Sequence, residues 1–389
     1  AWVTVGGDSE LQERLAVRPT SETIMYVMYK KWIKSWRDLP LKLNQWCNIV
    51  RWETKATKPL LRTREFLWQE GHTAHATKGE ADNEVMDILE IYKDLIEKHL
   101  AIPVLTGKKS ESEKFAGALY TTTLEALMPD GKVLQLGTSH NLGQNFSKPF
   151  KIKFIGKDEK DHYVWQTSWG VSTRLIGALV MVHGDDKGLV LPPKKTPFQV
   201  VIVPIFYKRV GKDLILKKAR EVYKKLEKNG ITSMLDDREE YTPGWKFNQW
   251  EMKGIPLRIE IGPKDIEKKQ VIAARRDTME RITVKDEELI NIVGEVLKEI
   301  QGNLFNQAKK SLEEHITSVQ IYDEFKRVLR KKGGFIRGCW CSNQRCEEKI
   351  KEETGATIRL IPFKKEELFS SCVYCGDEAK EVVYFARAY

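Results

Sequence analysis

The sequence predicts a mixed α/β protein built from several domains, and three observations lead to this fold class. The chain has 389 residues, enough for two or three domains of roughly 150 residues each. Strand-like apolar runs alternate with helical patterns, most regularly after the proline-rich segment Leu191–Pro197. Five of the six cysteines lie in the last fifth of the chain, which indicates a small third domain.

The composition is that of an ordinary globular protein. Hydrophobic residues make up 41% and charged residues 31%, which argues against a largely disordered chain. The longest apolar runs, Leu175–Val182 and Val200–Phe206, are far shorter than the roughly 18 residues of a membrane helix, and no secretory signal opens the sequence. We therefore expect no membrane partner and a cytoplasmic location. The net charge of +10 is compatible with a polyanionic partner.

Several segments have the pattern of a helix or a strand. In the first domain we expect strands at Leu41–Glu53 and Gly131–Gly137 and a helix at about Glu80–Leu100. In the second, the apolar run Gln199–Pro204 predicts a buried strand. The other elements expected there are the helices Asp213–Lys228 and Glu287–Phe305 and the strands Ile231–Leu235, Leu257–Ile261 and Val271–Ala274. A last boundary is expected near His315–Tyr322.

The most informative segment is Arg51–Glu70, RWETKATKPLLRTREFLWQE. Its opening Arg-x-Glu places both charges on one face of a strand, and after a lysine-rich loop Arg62, Phe66 and Glu70 follow at four-residue spacing. A hairpin would bring together guanidinium groups for phosphate, an aromatic face for a base, and acids for magnesium or amino groups. The spacing alone fits a solvated hairpin with surface ion pairs as well, and that is the commoner case.

Arg51–Glu70 resembles motif 2 of the class II aminoacyl-tRNA synthetases, which reads Arg-x-Glu, a loop, and Arg-x-x-x-Phe-x-x-x-Glu. Four more segments resemble motif 3 or sequences typical of the prolyl members: Ser168–Arg174 (SWGVSTR), Arg18–Glu22 (RPTSE), Trp68–His72 (WQEGH) and Gly137–His140 (GTSH). All five motifs occur in the family's order. Over nearly its whole length the chain resembles prolyl-tRNA synthetases of the eukaryote and archaeal type.

This resemblance implies a fold for each domain. Residues 1–195 are expected to form the class II catalytic domain, an antiparallel sheet flanked by helices. Residues 196–312 are expected to form an α/β anticodon-binding domain, and residues 313–389 a small zinc-binding domain. The stretch between Glu70 and Gly170 is expected to form helices that complete the active site, without an inserted editing domain. The family's motif 1 belongs before Thr20, where this sequence has 19 residues, and a homodimer is implied when motif 1 is present.

The resemblance also implies which residues bind the substrates. Those expected to contact ATP are Arg51, Glu53, Arg62, Thr63, Phe66, Gln135, Ser172 and Arg174. Those expected to surround proline are Thr20, Glu22, Arg51, Trp68, His72, Phe115, Thr138, His140 and Trp169. An acid and a hydroxyl suit the ammonium group of proline, and tryptophan rings suit its apolar ring. Taken singly, these tryptophans and His72 are more often core residues, and Thr-x-Glu is more often a helix N-cap.

The implied reaction has two steps. The carboxylate of proline attacks the α-phosphorus of ATP and releases pyrophosphate, and tRNA(Pro) then accepts the prolyl group at its 3′ end. Magnesium and three arginines expected to be catalytic, Arg51, Arg62 and Arg174, would offset the charge of the phosphates. The sequence singles out no general base.

The second domain contains a basic segment and several aromatic residues. Tyr207–Gly230 carries nine Lys or Arg residues and three acids, and Trp245–Trp250 (WKFNQW), Arg275 and Arg276 follow it. Cations beside aromatic rings suit single-stranded RNA loops. A lysine-rich helix face in solvent and tryptophans in the core fit the same pattern. The resemblance favours tRNA binding by the domain, without assigning the residues that read the anticodon.

Two cysteine pairs near the end of the chain predict a metal site. Cys341 and Cys346 are separated by 25 residues from Cys372 and Cys375, and four thiolates suit a structural Zn²⁺ ion. Cys339 is a fifth thiol that could replace Cys341, and the resemblance favours Cys341. Free thiols or a disulfide are the alternatives. The resemblance also implies that the last residue, Tyr389, lies against the active site.

Two other functions fit parts of the sequence. The first is a catalytically inactive, synthetase-like protein that binds RNA, but the five motif residues Arg51, Glu53, Arg62, Phe66 and Arg174 are all present. The second is a class II enzyme for another amino acid, such as threonine. A threonine site usually holds zinc in the catalytic domain, whose single cysteine here is Cys47. The preferred hypothesis is therefore an ATP-dependent ligase that joins proline to tRNA.

Overall fold

The computed structural model describes residues 1–54, 56–206 and 212–389, so residues 207–211 of the basic segment lie outside the described residues. The described residues form two compact units. One comprises Ala1–Asp94, Val104–Ala178 and Leu312–Tyr389, and the other comprises Leu95–Pro103 and Leu179–Ser311. None of the described helices has both the length and the apolar character needed to cross a membrane.

The first unit is built around a sheet of six strands. Its strands up to residue 172 are β1 (Trp2–Gly6), β2 (Ser9–Ala16), β3 (Leu41–Val50), β4 (Glu65–His75), β5 (Leu105–Lys108), β6 (Tyr120–Leu127), β7 (Val133–Gly143), β8 (Lys153–Ile155), β9 (Asp161–Tyr163) and β10 (Trp165–Ser172). The helices over this part are α1 (Glu22–Trp32), α2 (Lys78–Asp94), α3 (Ser147–Phe150) and α4 (Arg174–His183), with a 3₁₀ turn at Trp36–Asp38. The sheet has the order β3-β4-β10-β7-β6-β5, and all neighbouring strands are antiparallel.

The sheet confirms the expected antiparallel core and corrects two local predictions. The strand predicted at Leu41–Glu53 ends at Val50, because the pairing of β3 with β4 stops where Val50 faces Glu65 and the loop opens beyond it. The stretch between Glu70 and Gly170 contains α2 but is otherwise mostly strands. β6, with the sequence YTTTLEAL, is buried on both faces, so it lacks the alternation that marks a half-exposed strand.

Helices cover both faces of this sheet. On one face, α2 buries Val85, Leu89 and Tyr92. On the other, α1 buries Tyr26 and Tyr29, and the Tyr29 hydroxyl donates to the backbone oxygen of His72 at 2.6 Å. The Tyr26 ring lies edge-on to the His72 ring at 5.9 Å. Helix α1 therefore lies on the face of β4 that carries His72.

The second unit is a five-stranded α/β domain. Its strands are β11 (Val200–Pro204), β12 (Ser233–Leu235), β13 (Leu257–Ile261), β14 (Gln270–Arg275) and β15 (Arg281–Lys285). Its helical elements are a π-helical turn (Leu95–His99), a 3₁₀ turn (Pro193–Lys195), α5 (Lys212–Lys228), α6 (Pro243–Met252), α7 (Pro263–Glu267) and α8 (Leu289–Glu314). The last residues of α8, from Leu312 on, belong to the first unit. The sheet order is β12-β11-β13-β14-β15, parallel across its first three strands.

The elements predicted for this unit all occur. β13 has the predicted bounds, whereas α8 continues nine residues beyond the predicted end at Phe305, to Glu314. The apolar faces of α5 and α8 pack on the sheet, with Val222 and Val293 among their fully buried residues. The α/β domain expected after the proline-rich segment is therefore confirmed.

The last segment of the chain adds a four-stranded sheet to the first unit. Its strands are β16 (Ile316–Ser318), β17 (Phe335–Trp340), β18 (Ala356–Leu360) and β19 (Glu381–Arg387), and its helices are α9 (Tyr322–Lys331) and α10 (Gln344–Thr354). The strand order is β16-β17-β19-β18. Just beyond β18, Ile361 exchanges two backbone hydrogen bonds of 2.8 Å with Lys108 of β5. The small sheet is thus joined to the edge of the large one.

Candidate active site and metal centre

The candidate site lies on the α1 face of the large sheet, where three neighbouring strands align their side chains. β10 lies between β4 and β7. Ser168 faces His72 on one side and His140 on the other, and in the next row Gly170 faces Glu70 and Thr138. Because side chains alternate between the faces of a strand, these rows point to the same face. They form the floor of a cleft of about 440 Å³.

Most of the residues predicted to bind substrate line this cleft. They are Thr20, Glu22, Arg51, Phe66, Trp68, His72, Phe115, Gln135, Thr138, His140, Trp169, Ser172 and Arg174. Glu53, Arg62 and Thr63 are not in its wall. Arg62 pairs with Glu53 at 2.9 Å and donates to the backbone oxygen of Tyr389 at 2.7 Å. The Thr63 hydroxyl donates to the backbone oxygen of Glu65.

One end of the cleft is acidic. Thr20 donates to the buried carboxylate of Glu22, and Glu70, also buried, accepts hydrogen bonds from Ser21 and Gln45. Burial by itself raises the pKa of Glu70, but these bonds and one with His72, 3.1 Å long, outweigh it and leave the pKa below its usual value. Glu70 is therefore an anion at neutral pH.

The sequence grouped Glu70 with the other residues of the hairpin, whose acids suit magnesium or amino groups, but did not include it among the residues expected to bind ATP or proline. Its alternation with His72 along β4 was the signal that could have placed it on the cleft floor. Ser168, Lys109 and Glu113 also line the cleft and were not predicted. The local sequence around Lys109, GKKSESEK, reads as an exposed charged loop, and no local pattern could have identified it.

Two histidines stand at this end of the cleft with different environments. His140 hydrogen-bonds Thr121 at 2.9 Å and Thr138 at 3.0 Å, one through each ring nitrogen. Burial, together with the nearby His72 and Arg51, lowers the pKa of His140 to about 3, so its ring is neutral. The Nδ1 atom of the buried His72 has no hydrogen-bond partner among the described residues. Such an atom is an available contact for a ligand.

The two cleft tryptophans point in different directions. Trp68 lies on the face of β4 that carries Glu70 and His72, and the guanidinium of Arg51 is 5.5 Å from its ring. Trp169 also lines the cleft, but its indole covers Gly71 and lies edge-on to Tyr92 of α2 at 6.4 Å. A methyl group on Gly71 would approach that indole to about 2.0 Å. Gly71 is therefore required for the position of Trp169.

The other end of the cleft is cationic. Arg51 donates to the backbone oxygen of Pro19 at 2.9 Å, and its guanidinium lies 5.5 Å from the Phe66 ring. Arg174 donates to the backbone oxygens of Leu61, at 2.9 Å, and Gln135, at 3.1 Å. Within the described part of the chain, neither Arg51 nor Arg174 forms an ion pair with a carboxylate. Nearby carboxylates, Glu22 and Glu70 for Arg51 and Glu125 for Arg174, act on these cations only at longer range. A guanidinium group without a directly paired carboxylate favours an anionic ligand.

Four cysteine sulfurs gather near the end of the chain. The Sγ atoms of Cys341, Cys346, Cys372 and Cys375 all lie within 4.8 Å of one another. The Cys341 sulfur is 3.6 Å from Cys346 and 3.7 Å from Cys375. Four sulfurs around a tetrahedral zinc ion, each about 2.3 Å from the metal, would be about 3.8 Å apart. The donor set and its spacing therefore fit Zn²⁺.

The structure brings Cys341 into this cluster and leaves Cys339 outside. Cys339 is buried in β17 and accepts a hydrogen bond from the backbone of Phe369 at 3.4 Å. Burial raises the pKa of the Cys375 thiol to about 11 and also raises the pKa of Cys346, whereas backbone N–H groups outweigh burial and lower the pKa of Cys372. A cation is accordingly needed to hold four thiolates together.

The second unit presents one exposed aromatic platform on α6 and the turn before it. The rings of Tyr241 and Trp245 stack at 3.7 Å, with 9° between their planes, and the guanidinium of Arg238 lies 4.9 Å from Tyr241. Both rings are exposed. Stacked rings beside a cation suit unpaired bases.

Four of the other residues singled out in this unit, Lys246, Trp250, Arg275 and Arg276, are buried, which agrees with the alternative that places tryptophans in the core. Arg276 is buried and pairs with Asp185 through two hydrogen bonds, and Arg275 pairs with Asp277 and Glu299. Lys246 and Trp250 are also buried, and both bond to Asp236. A charge pattern does not distinguish a cation in solvent from one paired inside the fold.

Comparison with protein families agrees with this architecture. A model of the class II tRNA synthetase core domain (G, H, P, S and T) matches residues 3–183. An anticodon-binding domain model matches residues 199–296, and a model of the prolyl-tRNA synthetase C-terminal region matches residues 322–389. Among curated proteins, the proline–tRNA ligase of Natranaerobius thermophilus is 57% identical, with 100% of this chain and 80% of the relative aligned.

The chain belongs to the prolyl-tRNA synthetase family. Proline–tRNA ligase 2 of Clostridioides difficile is 53% identical, again over 100% of this chain and 80% of the relative. The proline–tRNA ligase of Cenarchaeum symbiosum is 52% identical over 100% of this chain and 81% of the relative. The family and the ligase class predicted from the motifs are thereby confirmed.

The cysteine cluster gives the first testable prediction. Purified chain should contain about one zinc ion, because four thiolates at this spacing fill a tetrahedral site. Cys341→Ala should lose most of that zinc, measured by atomic absorption after gel filtration. Cys339→Ala is the matched control and should keep it. Zinc loss in Cys339→Ala with retention in Cys341→Ala would contradict the geometry, as would a purified chain without zinc.

Proposed function

We propose that this chain activates proline with ATP to form prolyl-adenylate and transfers the prolyl group to the 3′ end of tRNA(Pro). One observation carries the proposal. A single cleft holds two arginines without carboxylate partners at one end, and buried acids with a neutral histidine at the other. This polarity matches a reaction between a polyphosphate and a small ammonium compound.

At the acidic end, the residues fit proline. Glu22 and the Thr20 hydroxyl would receive the secondary ammonium group, because a carboxylate and a neutral acceptor match its charge and its two N–H bonds. Trp68, Phe115 and the neutral His140 would enclose the ring, joined by His72, Thr138 and Trp169. Glu70 holds His72 and the Ser21 hydroxyl, so it would act as a positioning group for Glu22 and His72.

At the cationic end, the residues fit ATP. Arg51 would contact the α-phosphate and the carboxylate of proline, which brings the attacking oxygen close to phosphorus. Arg174 would contact the outer phosphates, and Phe66 offers a ring for adenine. We propose that Gln135, Ser172 and Thr63 also contact ATP. Glu53 and Arg62, paired with each other in this structure, would separate to meet the adenine amino group and the outer phosphates.

Magnesium is expected to enter with ATP. Among the described residues, the carboxylates that line the cleft are Glu22, Glu70 and Glu113, and Glu70 is already fully hydrogen-bonded. Mg²⁺ commonly binds through substrate phosphates, water and one or two carboxylates. The ion would neutralise the pyrophosphate that leaves, while the arginines hold the phosphates in line.

The second unit would bind the tRNA. Its exposed Tyr241–Trp245 platform offers stacking surfaces for unpaired anticodon bases. One face of α5 presents Lys217, Arg220 and Lys224, which suit the phosphate backbone. We place the domain boundaries at residues 195 and 312 and the protein in the cytoplasm, where tRNA is charged.

We also propose a homodimer for the chain when it carries motif 1. Large apolar side chains are exposed around the edge strand β3, namely Trp46 (80% exposed), Trp52 (67%) and, on β4, Leu67 (62%). Large exposed apolar side chains grouped in this way mark an interaction site. Sedimentation velocity on a chain that carries motif 1 should show a dimer that Trp46→Asp converts to monomer. An Asp substitution that leaves the sedimentation coefficient unchanged would place the interface elsewhere.

The central prediction concerns Arg51. Arg51→Ala should reduce proline-dependent ATP–pyrophosphate exchange by roughly a hundredfold or more, as expected for loss of a group that stabilises charge in the transition state. Arg64→Ala is the matched control. Arg64 lies on the same hairpin, is exposed and stacks on Trp52 at 4.4 Å, so activity should be unchanged. In control exchange reactions, threonine or alanine replaces proline as the amino-acid substrate.

Near-normal exchange by Arg51→Ala would overturn this assignment of the cleft. If the unsubstituted chain showed no exchange with any amino acid while still binding tRNA, the assay would be repeated on a longer chain that carries motif 1. Exchange restored there would make motif 1 essential, and no exchange there would indicate the inactive RNA-binding protein that the sequence also allowed. Exchange that depends on threonine would instead assign the cleft to another amino acid.

A separate prediction concerns the aromatic platform. Trp245→Ala should weaken tRNA(Pro) binding by roughly tenfold, because stacking on one base contributes about 1–3 kcal/mol. Pyrophosphate exchange without tRNA should be unaffected. Met279→Ala, which removes another exposed apolar side chain of the same unit, is the control. Equal tRNA affinity in all three proteins, measured by filter binding, would exclude the platform from the interface.

A further inference from the structure

A loop from the large sheet closes one side of the cleft. It follows β5 and spans residues 109–118, and three of its residues, Lys109, Glu113 and Phe115, line the cleft. The loop has no strand or α-helix of its own. Its position therefore depends on contacts with its surroundings, and three of these come from the last segment of the chain, residues 312–389.

The first contact is a buried cluster of three charges at the start of the loop. The Lys109 ammonium is 2.7 Å from Glu125 of β6 and donates to the backbone oxygen of Arg359 at 2.9 Å. The guanidinium of Arg359 donates twice to the same Glu125, at 2.9 and 3.1 Å. All three side chains are buried. Such a cluster fixes its members closely, because loss of one partner leaves an uncompensated buried charge.

The second and third contacts come from α10. The Ser110 hydroxyl donates to Glu347 at 2.7 Å, and Glu347 is only 3% exposed. One turn further along α10, Lys351 pairs with Glu113 at 3.1 Å. Glu347 adjoins Cys346, a member of the cysteine cluster. The helix that carries part of the cluster thus also holds the cleft loop.

The far end of the loop reaches the proline side of the cleft. The Phe115 ring lies 4.8 Å from that of His140, and the backbone N–H of Phe115 donates to Thr121, which also bonds His140. A displacement of the loop would move Phe115 away from His140. Among the described residues, Arg51 and Arg174 form no hydrogen bond or ion pair with the loop itself, although Arg174 lies within electrostatic reach of Glu125 and Arg359.

We propose that Glu347, Lys351 and Arg359 are positioning residues for the proline site, acting through the loop at residues 109–118. The last segment of the chain thereby sets the affinity for proline without touching it. This inference rests on the proposed function, since it takes proline as the ligand beside Phe115 and His140.

Glu347→Ala tests the inference most directly. It removes the carboxylate acceptor of the Ser110 hydroxyl, which then keeps only its longer bond of 3.2 Å with Ser112 inside the loop. The KM for proline in pyrophosphate exchange should rise roughly tenfold, while the KM for ATP stays within about twofold. Glu347→Gln keeps an acceptor oxygen and should restore the proline KM. Glu348→Ala, on the exposed side of α10 and bonded to Gln344, should behave as the unsubstituted chain.

Two measurements without turnover accompany the kinetics. Proline binding, followed by the fluorescence of the cleft tryptophans, should weaken by the same factor. Amide hydrogen exchange should become faster at residues 109–118, with zinc content unchanged. If Glu347→Ala does not fold, Ser110→Ala removes the same bond from the loop side and should give the same split between the two KM values.

Three outcomes would overturn the inference: an unchanged proline KM, equal increases in both KM values, or no rescue by Glu347→Gln. Its failure is distinguishable from failure of the proposed function. If the unsubstituted chain is active with proline while Glu347→Ala keeps its proline KM, only the positioning role is wrong. If the unsubstituted chain shows no proline-dependent exchange and binds no proline, the proposed function itself fails.

Discussion

The register of β10 between β4 and β7 is the constraint on which the rest of the site depends. Ser168 opposite His72 and His140, and Gly170 opposite Glu70 and Thr138, place one row of polar groups on the α1 face. A slip of β10 by one residue would move Ser168 and Gly170 to the α2 face and would bring Trp169 to the α1 face instead. The opposite face reinforces the register, because the Trp169 indole fits only where Gly71 leaves room for it. Packing on one face of the sheet thus fixes the chemistry on the other.

Charged groups of both signs line the cleft above these rows. The acids of the proline end lie on and beside β4, where hydrogen bonds hold Glu70 ionised. Arg51 and Arg174 are held by backbone oxygens of Pro19, Leu61 and Gln135. Such oxygens orient a guanidinium group without neutralising it. Holding a cation without a counterion costs free energy, and the binding of a polyphosphate offsets that cost. In this way a preorganised site favours a charged transition state.

The sequence predicted the features of this structure that depend on residues close together in the chain. Motif residues such as Arg51, Phe66 and Arg174 reach the cleft, and the apolar run that became β13 has its predicted bounds. Features that depend on distant partners were missed. β6 is buried on both faces and so shows no alternation, Glu70 gains its role from Ser21 and Gln45, and Arg276 is buried by Asp185. A pattern in one segment carries no information on the segment that will cover it.

The same reasoning explains why the last segment belongs to the unit that holds the cleft. Arg62 and Tyr389 are 327 positions apart and form a hydrogen bond, and Arg359 completes the charge cluster of Lys109 and Glu125. The four-stranded sheet and its helices have an apolar core of their own, which includes Phe325, Ile350 and Phe385, and two of the cluster cysteines, Cys346 and Cys372, are buried in it. A segment packed around its own core and joined to the edge of the large sheet can hold a cleft loop in place, which a flexible tail could not.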